Sequence, residues 1–310
     1  MITSLGFDKP LYILSFDNRD VLHALSESDD MLTAEQQAEI ASARSQIVSA
    51  KHIVYEGFKT ALAAGVPKEK AGILADEQFC ADILRNAAKQ GYLIACPAEK
   101  VGQEEFDFEY GEDFAAHIEA YQPAFCKVLV RYNPKGDQDL NRRQSGRLKR
   151  LSDYLHRESR SLLMVELLIP PHQAQLEKLA DDHETSHAEI RPLLTVEAIR
   201  QLQDAQVEPD VWRIEGLDQR EDCEKVVAAA RFGGRDKVSC MVRGSGSQEK
   251  VRGWLKTAAG VQGVIGFAMG PMIFSDPLVQ WTSGRTTAKT AAVAIGRRFR
   301  EFVNIFENDR

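Results

Sequence analysis

Five charged side chains interrupt apolar runs in this 310-residue chain: Lys127, Arg131, Glu166, Arg213 and Glu215. Side chains of an extended backbone alternate between two faces. The run Cys126–Tyr132 therefore puts Lys127, Leu129 and Arg131 on one side, followed by Asn133; Leu162–Ile169 puts Met164, Glu166 and Leu168 together; Asp210–Glu215 puts Val211, Arg213 and Glu215 together. A charge taken out of water without a partner costs several kcal/mol, so these groups must pair with one another or meet a polar ligand. Asp17, Glu166 and Glu215 are the acids able to balance Lys127, Arg131 and Arg213. For any one of the five, an internal ion-pair layer explains the charge as well as a binding site does. Five on three successive strands favour a pocket of mixed sign, suited to an oxygen-rich anionic substrate such as a sugar phosphate. The chemistry within reach is an amine for imine formation, carboxylates for proton transfer and guanidinium groups for holding an anion.

Further candidates stand where apolar runs end. Asp17 closes the first, Glu77 and Gln78 follow the second, and Lys100 follows the third. Arg243 runs into Gly244-Ser245-Gly246-Ser247, which opens a helix near Gln248. Free backbone N–H groups at a helix N-terminus bind anions, although Gly-Ser turns are also ordinary connectors. His183 and His187, four apart beside Asp181, Asp182 and Glu184, have the spacing of metal ligands, yet their surroundings read as a solvated loop opening a helix, and no metal is expected. His172 reads as a loop residue, and Cys96 and Cys126 as small buried hydrophobes. For the acidic–aromatic stretch Glu104–Tyr110, a lid and an oligomer contact both stay open.

The elements that must position these groups alternate along the chain. Eight strands are expected, at Leu11–Phe16, Gly72–Ala75, Tyr92–Cys96, Cys126–Tyr132, Leu162–Ile169, Asp210–Glu215, Val238–Val242 and Val264–Met269. Their continuous apolar interiors are those of parallel strands covered by helices. Between them, Thr33-Ala34-Glu35-Gln36 has the form of a capping box before a helix running to about Ala64. Helices are also expected over Asn141–Arg157, Thr195–Ala205, Arg220–Phe232, Gln248–Ala259 and Thr287–Phe306. No Gly-x-Gly-x-x-Gly follows the first strand, as a doubly wound nucleotide-binding sheet would require. The expectation is an α/β protein, one (β/α)8 TIM barrel over residues 1–310, with its chemistry at the carboxyl ends of the strands.

Composition limits the partners. Asp and Glu number 46 against 39 Lys and Arg, a net charge of −7 with no basic stripe, which argues against a nucleic-acid binder. No apolar run approaches the roughly 20 residues of a membrane span, and the first residues lack the plan of a signal peptide. The five cysteines stand singly, with no C-x-x-C pair. A cytoplasmic protein is expected, needing no cofactor and acting on a small anionic sugar; assembly as a homo-oligomer through outer helices is left open.

Four stretches carry a family resemblance: Tyr12-Ile13-Leu14-Ser15-Phe16-Asp17-Asn18-Arg19, Leu74-Ala75-Asp76-Glu77-Gln78, Lys127-Val128-Leu129-Val130-Arg131-Tyr132-Asn133-Pro134 and Pro209-Asp210-Val211-Trp212-Arg213-Ile214-Glu215-Gly216. From about Leu11 to Phe306 the chain resembles the aldolase-like domain found fused to 5-dehydro-2-deoxygluconokinase in bacterial inositol catabolism, a relative of tagatose-bisphosphate and sulfofructose-phosphate aldolases. The resemblance implies a (β/α)8 barrel and class I aldol cleavage of a ketose-like phosphate to dihydroxyacetone phosphate and an aldehyde. It implies that Asp17 is the carboxylate after strand one, Lys127 a substrate-contacting lysine and Glu166 the acid of proton transfer. The Schiff-base lysine of the family falls on strand six, in a pattern like Val-Trp-Lys-Ile-Glu, where this chain has Arg213. A guanidinium stays protonated and is a poor nucleophile, so that position does not form an imine here. Three further departures are Gly270-Pro271 where the family has Gly-Arg, Ser245 where it has an arginine between glycines, and Asp17-Asn18-Arg19-Asp20 where it has Asp-His-Arg-Gly.

Three functions are compatible with these residues. The first is an aldolase-like carbon–carbon lyase with Lys127 or Lys100 forming the imine, Glu166 moving protons, Arg213 holding a substrate anion, and Arg131, Asn133, Glu77, Gln78, Glu215, Arg243 and the turn Gly244-Ser245-Gly246 lining the pocket. The second is a sugar isomerase, epimerase or decarboxylase using Glu166, Asp17 and Lys127 without a covalent step. The third is a catalytically silent paralogue that binds a sugar phosphate or serves as an oligomer partner.

Overall fold

A computed structural model of the chain describes residues 5–19, 34–171 and 183–310. Each of the eight expected strands forms, within a residue of the expected bounds: β1 (Leu11–Ser15), β2 (Ala71–Leu74), β3 (Leu93–Pro97), β4 (Phe125–Arg131), β5 (Leu162–Leu168), β6 (Val211–Glu215), β7 (Ser239–Arg243) and β8 (Val264–Met269). They are ordered β1 to β8 in a closed parallel barrel, which makes the fold a (β/α)8 TIM barrel. The helices described are α1 (Ala34–Ala63), α2 (Glu77–Lys89), α3 (Phe114–Tyr121), α4 (Gln138–Arg157), α5 (His183–Asp204), α6 (Arg220–Arg231), α7 (Gln248–Ala259), α8 (Pro271–Thr282) and α9 (Ala288–Asn308).

Three of these helices escape the sequence pattern. α3 spans only eight residues, and α8 begins on Pro271 and contains Pro277, which read as breakers. α2 begins where Asp76-Glu77-Gln78 looks like a strand end; the Asp76 carboxylate is its N-cap, accepting from the Phe79 N–H at 2.9 Å. α5 also starts before the expected Thr195 and runs through Pro192. Thr33 of the capping-box stretch, His172, and the side chains of His183 and His187 lie outside the described residues.

The chain forms two compact units. The larger comprises Met1–Pro10, Ala98–Phe267 and Ile305–Arg310, and so holds β4 to β7. Trp212 and Trp254 are fully buried in it, and Gly216 is required where the chain passes Trp254, since a Cβ there would stand 2.3 Å from the indole. Its acidic–aromatic stretch after β3 is packed down rather than offered outward: Phe106 and Phe108 are buried, and Phe108 stacks on Phe114 at 4.3 Å. Glu105 pairs with Arg143 and Arg147 of α4, whose hydrogen bonds hold its carboxyl at about 2.

The smaller unit comprises Leu11–Pro97 and Ala268–Asn304. Phe58 packs in its core against Tyr92 and Phe299. One buried ion pair ties α1 to the end of β2: Lys51 contacts the Asp76 carboxylate and donates to the Phe16 carbonyl at 2.9 Å and the Asn18 carbonyl at 3.0 Å. Lys51 thereby fixes the backbone on both sides of Asp17. Removing one partner of a buried pair strands the other charge. Asp76→Ala is therefore expected to cost about 3–5 kcal/mol in urea unfolding, with much of the loss recovered when Lys51→Met is added.

Candidate active site

The larger unit gathers charged side chains from β4 to β7, Lys127, Glu166 and Arg213 from within their strands and Arg243 from the end of β7. Glu166 on β5 and Arg213 on β6 are direct partners in the parallel register, so their side chains share a face. Glu166 is the hub. Its Oε2 accepts from Arg213 Nη1 at 2.7 Å and lies 3.3 Å from Lys127 Nζ of β4, while its Oε1 accepts from Arg243 Nε of β7 at 2.6 Å. Lys127 also donates to Glu99 Oε1 at 2.6 Å, from the segment just after β3. Lys127 and Glu166 are each 3 % exposed and Arg213 6 %, so this inner part of the network is dry.

Burial alone would push the Glu166 carboxyl up, but Arg213, Lys127 and Arg243 outweigh it and hold the group at about 2. Glu166 is therefore an anion at any physiological pH. So acidic a group accepts a proton poorly, and in the resting site it holds three cations in place rather than acting as a general base.

The structure brings together Lys127, Glu166, Arg213 and Arg243, and it redirects several other expectations. Glu215 does not balance Arg213: it takes Arg191 Nη1 of α5 at 3.2 Å and the Ser245 hydroxyl at 2.5 Å, because the last residue of β6 leans toward α5 and the turn after β7. Ser247 in the same turn caps α7, accepting from the Lys250 N–H at 3.2 Å; Gly244 and Gly246 complete the turn. Arg131 is half-buried and donates to the Gln103 carbonyl at 2.9 Å, on the wall of a cavity of about 260 Å³ that Glu104, Asn133, Asp137 and Pro170 also line. Asn133 shapes that wall, donating to the Pro170 carbonyl at 2.8 Å and accepting from the Lys135 N–H at 2.9 Å. Lys100 is exposed; its N–H donates to the Asp107 carbonyl, and its amine makes no ion pair among the described residues.

Asp17, Glu77 and Gln78 belong to the smaller unit. Asp17 and Glu77 are half-buried, Gln78 is exposed, and the Gln78 carbonyl accepts from Arg44. Sequence reasoning passed over Glu99, Lys51 and Asp76. The signal for Glu99 lay in its place beside Lys100 at the end of β3, where one residue's difference selects the opposite face. Among the described residues no group of three His, Cys, Asp or Glu side chains is placed to hold a metal ion, and no helix is long and apolar enough to cross a membrane.

Fold and site together define a (β/α)8-barrel protein with a buried ion-pair cluster of mixed sign on strands β4 to β7. The chain belongs to the family described as "Uncharacterized protein conserved in bacteria" (DUF2090), which matches residues 8–310. No curated protein matches the sequence. Similar solved structures include an archaeal fructose 1,6-bisphosphate aldolase (14% identity, TM-score 0.51, covering 95% of each chain) and a fructose-bisphosphate aldolase from Slackia heliotrinireducens (10%, 0.52, covering 97% of this chain and 86% of that one). The YdjI aldolase from Escherichia coli K12 is another (11%, 0.53, covering 97% and 93%). At these identities the likeness is one of fold.

The low carboxyl of Glu166 ties stability to acid. Its folded value of about 2 lies below the ordinary 4.5, so its contribution is fully present above about 4.5 and is lost as pH falls toward 2. Acid unfolding should show about 3 kcal/mol lost over that window on account of this group. Glu166→Gln is expected to be less stable at neutral pH and to lose less on acidification, as read by urea titrations at pH 7 and pH 3.

Proposed function

We propose that the protein is an aldolase-like carbon–carbon lyase acting on a small anionic ketone, either a phosphorylated keto sugar or a keto acid of the 5-dehydro-2-deoxygluconate 6-phosphate kind. One observation carries this reading: the Lys127 amine is buried 2.6 Å from one carboxylate and 3.3 Å from a second, with two arginines on the second. Imine formation needs a neutral amine, and Glu99 is placed to take the proton from Lys127. The amine nitrogen then bonds to the substrate carbonyl carbon, and the carbonyl oxygen leaves as water, protonated in part by Glu99. Loss of the β-hydroxyl proton lets the adjacent carbon–carbon bond break into the iminium, giving an aldehyde and an enamine. Protonation of the enamine at carbon and hydrolysis release the second product and return Lys127. Arg213 and Arg243, fixed by Glu166, favour the anionic substrate. On this reading Arg213 stands where the resembled family has its imine-forming lysine, and the amine function has passed to β4. A place in inositol breakdown in the cytoplasm rests on the motif resemblance.

A second reading, a barrel that binds such an anion without turning it over, is favoured by the pairing of both cluster carboxylates in the resting state. Borohydride trapping separates the two. Incubation with dihydroxyacetone phosphate and, separately, with pyruvate, followed by reduction and peptide mapping, should give an adduct on Lys127 with at least one of them. That adduct should vanish in Lys127→Met, and Arg213→Lys should add a second site of trapping. Absence of any adduct from protein shown to bind these ketones would leave the silent reading.

A further inference from the structure

The cavity at the carboxyl end of β4 carries charges that the cluster around Glu166 does not use. Arg131 ends the strand, half-buried, and lines this space of about 260 Å³. One of its nitrogens, Nη1, donates to the Gln103 carbonyl at 2.9 Å. Its Nε and Nη2 make no hydrogen bond or ion pair among the described residues. That edge is a planar pair of donors matched to a carboxylate.

The opposite charge lines the same space. Glu104 follows Gln103 directly, so it stands beside the carbonyl that Arg131 holds; it is exposed and makes no ion pair among the described residues. Asp137 is the N-cap of α4, its Oδ1 accepting from the Asp139 N–H at 2.8 Å and the Leu140 N–H at 3.0 Å. Those bonds, the one from Leu140 foremost, hold its carboxyl below the ordinary value, so it is an anion at neutral pH. Leu140, Pro170 and Pro171 supply an apolar wall.

The lining is fixed before any ligand arrives. Gln144, fully buried on α4, donates to the Arg131 carbonyl at 2.9 Å and accepts from the Phe106 N–H at 3.3 Å. It thereby joins the end of β4 to the segment that carries Glu104. Asn141 donates to the Asn133 carbonyl at 2.8 Å, and Asn133 in turn holds the Pro170 carbonyl. A preformed cavity with a few placed charges selects by their arrangement. A bare anion on Arg131 shares the cavity with two carboxylates, and a bare cation at those carboxylates shares it with the guanidinium. A molecule carrying both charges on neighbouring atoms satisfies both.

We propose that this cavity is a binding site for a free amino acid with a short apolar side chain. Its carboxylate lies on the Nε–Nη2 edge of Arg131, its ammonium group on Glu104 and Asp137, and its side chain against Leu140 and the two prolines. The site stands whether or not Lys127 forms an imine.

Calorimetry on the full chain tests the site with three probes of one skeleton. L-valine carries both charges, isovalerate is valine without the ammonium group, and isobutylamine is valine without the carboxylate. L-valine should bind the wild type saturably, and each one-charge probe should bind about tenfold or more weakly, because a charge of the cavity is then left without its counterpart. Arg131→Met and Arg131→Lys should each weaken L-valine about tenfold or more, since lysine keeps the charge but lacks the fork. Glu104→Gln should weaken L-valine without weakening isovalerate, a split that general loss of structure does not produce. Each variant is checked for an unchanged thermal melt, and the comparison of probes on the wild type needs no variant. Isovalerate binding as tightly as L-valine makes the cavity a plain anion site and overturns the proposal; isobutylamine binding as tightly makes it a cation site and does the same. Absence of saturable L-valine binding to the wild type, or equal affinity in the wild type and all three variants, also overturns it.

Discussion

The carboxylate of Glu166 holds the centre of this protein together. It lies on a strand with almost no water contact, which on its own would make it neutral or expel it. Three cations from three other strands reverse that preference, and each of those cations depends on it in turn. The lysine, the arginines and the glutamate are tolerable in the interior only as a set. An apolar filling would serve stability as well, so the set is the strongest physical sign that the barrel does more than fold.

The site also contrasts with the molecule around it. The chain carries a net charge of −7, yet three cations, Lys127, Arg213 and Arg243, converge on the one carboxylate of Glu166. Charges held in so buried a place interact with little screening by salt. The segment after β3 contributes to this through position. Glu99 pairs with Phe108 in a short bridge, Ala98 accepts from the Glu109 N–H, and Glu105 is clasped by Arg143 and Arg147 of α4. The acidic stretch, for which sequence left a lid and an oligomer contact both open, packs as a strap over the acid facing Lys127. Packing of Phe106 and Phe108 beneath it makes that placement rigid.

In the smaller unit Lys51 performs a comparable service at the end of β1. It uses two backbone carbonyls and one carboxylate, so all three ammonium protons are spent. The loop around Asp17 is thus shaped from a helix that follows it in sequence by more than thirty residues. Nothing in the loop's own residues announces that.

The strands and the barrel were legible in the sequence because parallel strands buried on both faces must be continuous apolar runs, and a charge within such a run is conspicuous. Lys127, Glu166 and Arg213 could be found on that ground alone, and alternation put each on the right face. Short or proline-marked helices such as α3 and α8 were not legible, since their local pattern is that of a turn. Nor was the choice of partners. Sequence offered Asp17, Glu166 and Glu215 as counter-ions for Lys127, Arg131 and Arg213; the tertiary structure sets Glu166 on both Lys127 and Arg213, adds Glu99 to Lys127 and Arg243 to Glu166, and gives Glu215 to Arg191 and Ser245. Side-chain facing follows from a period of two within one strand. Pairing depends on how far each strand end rises and which loop folds over it, and those are fixed only when distant segments pack.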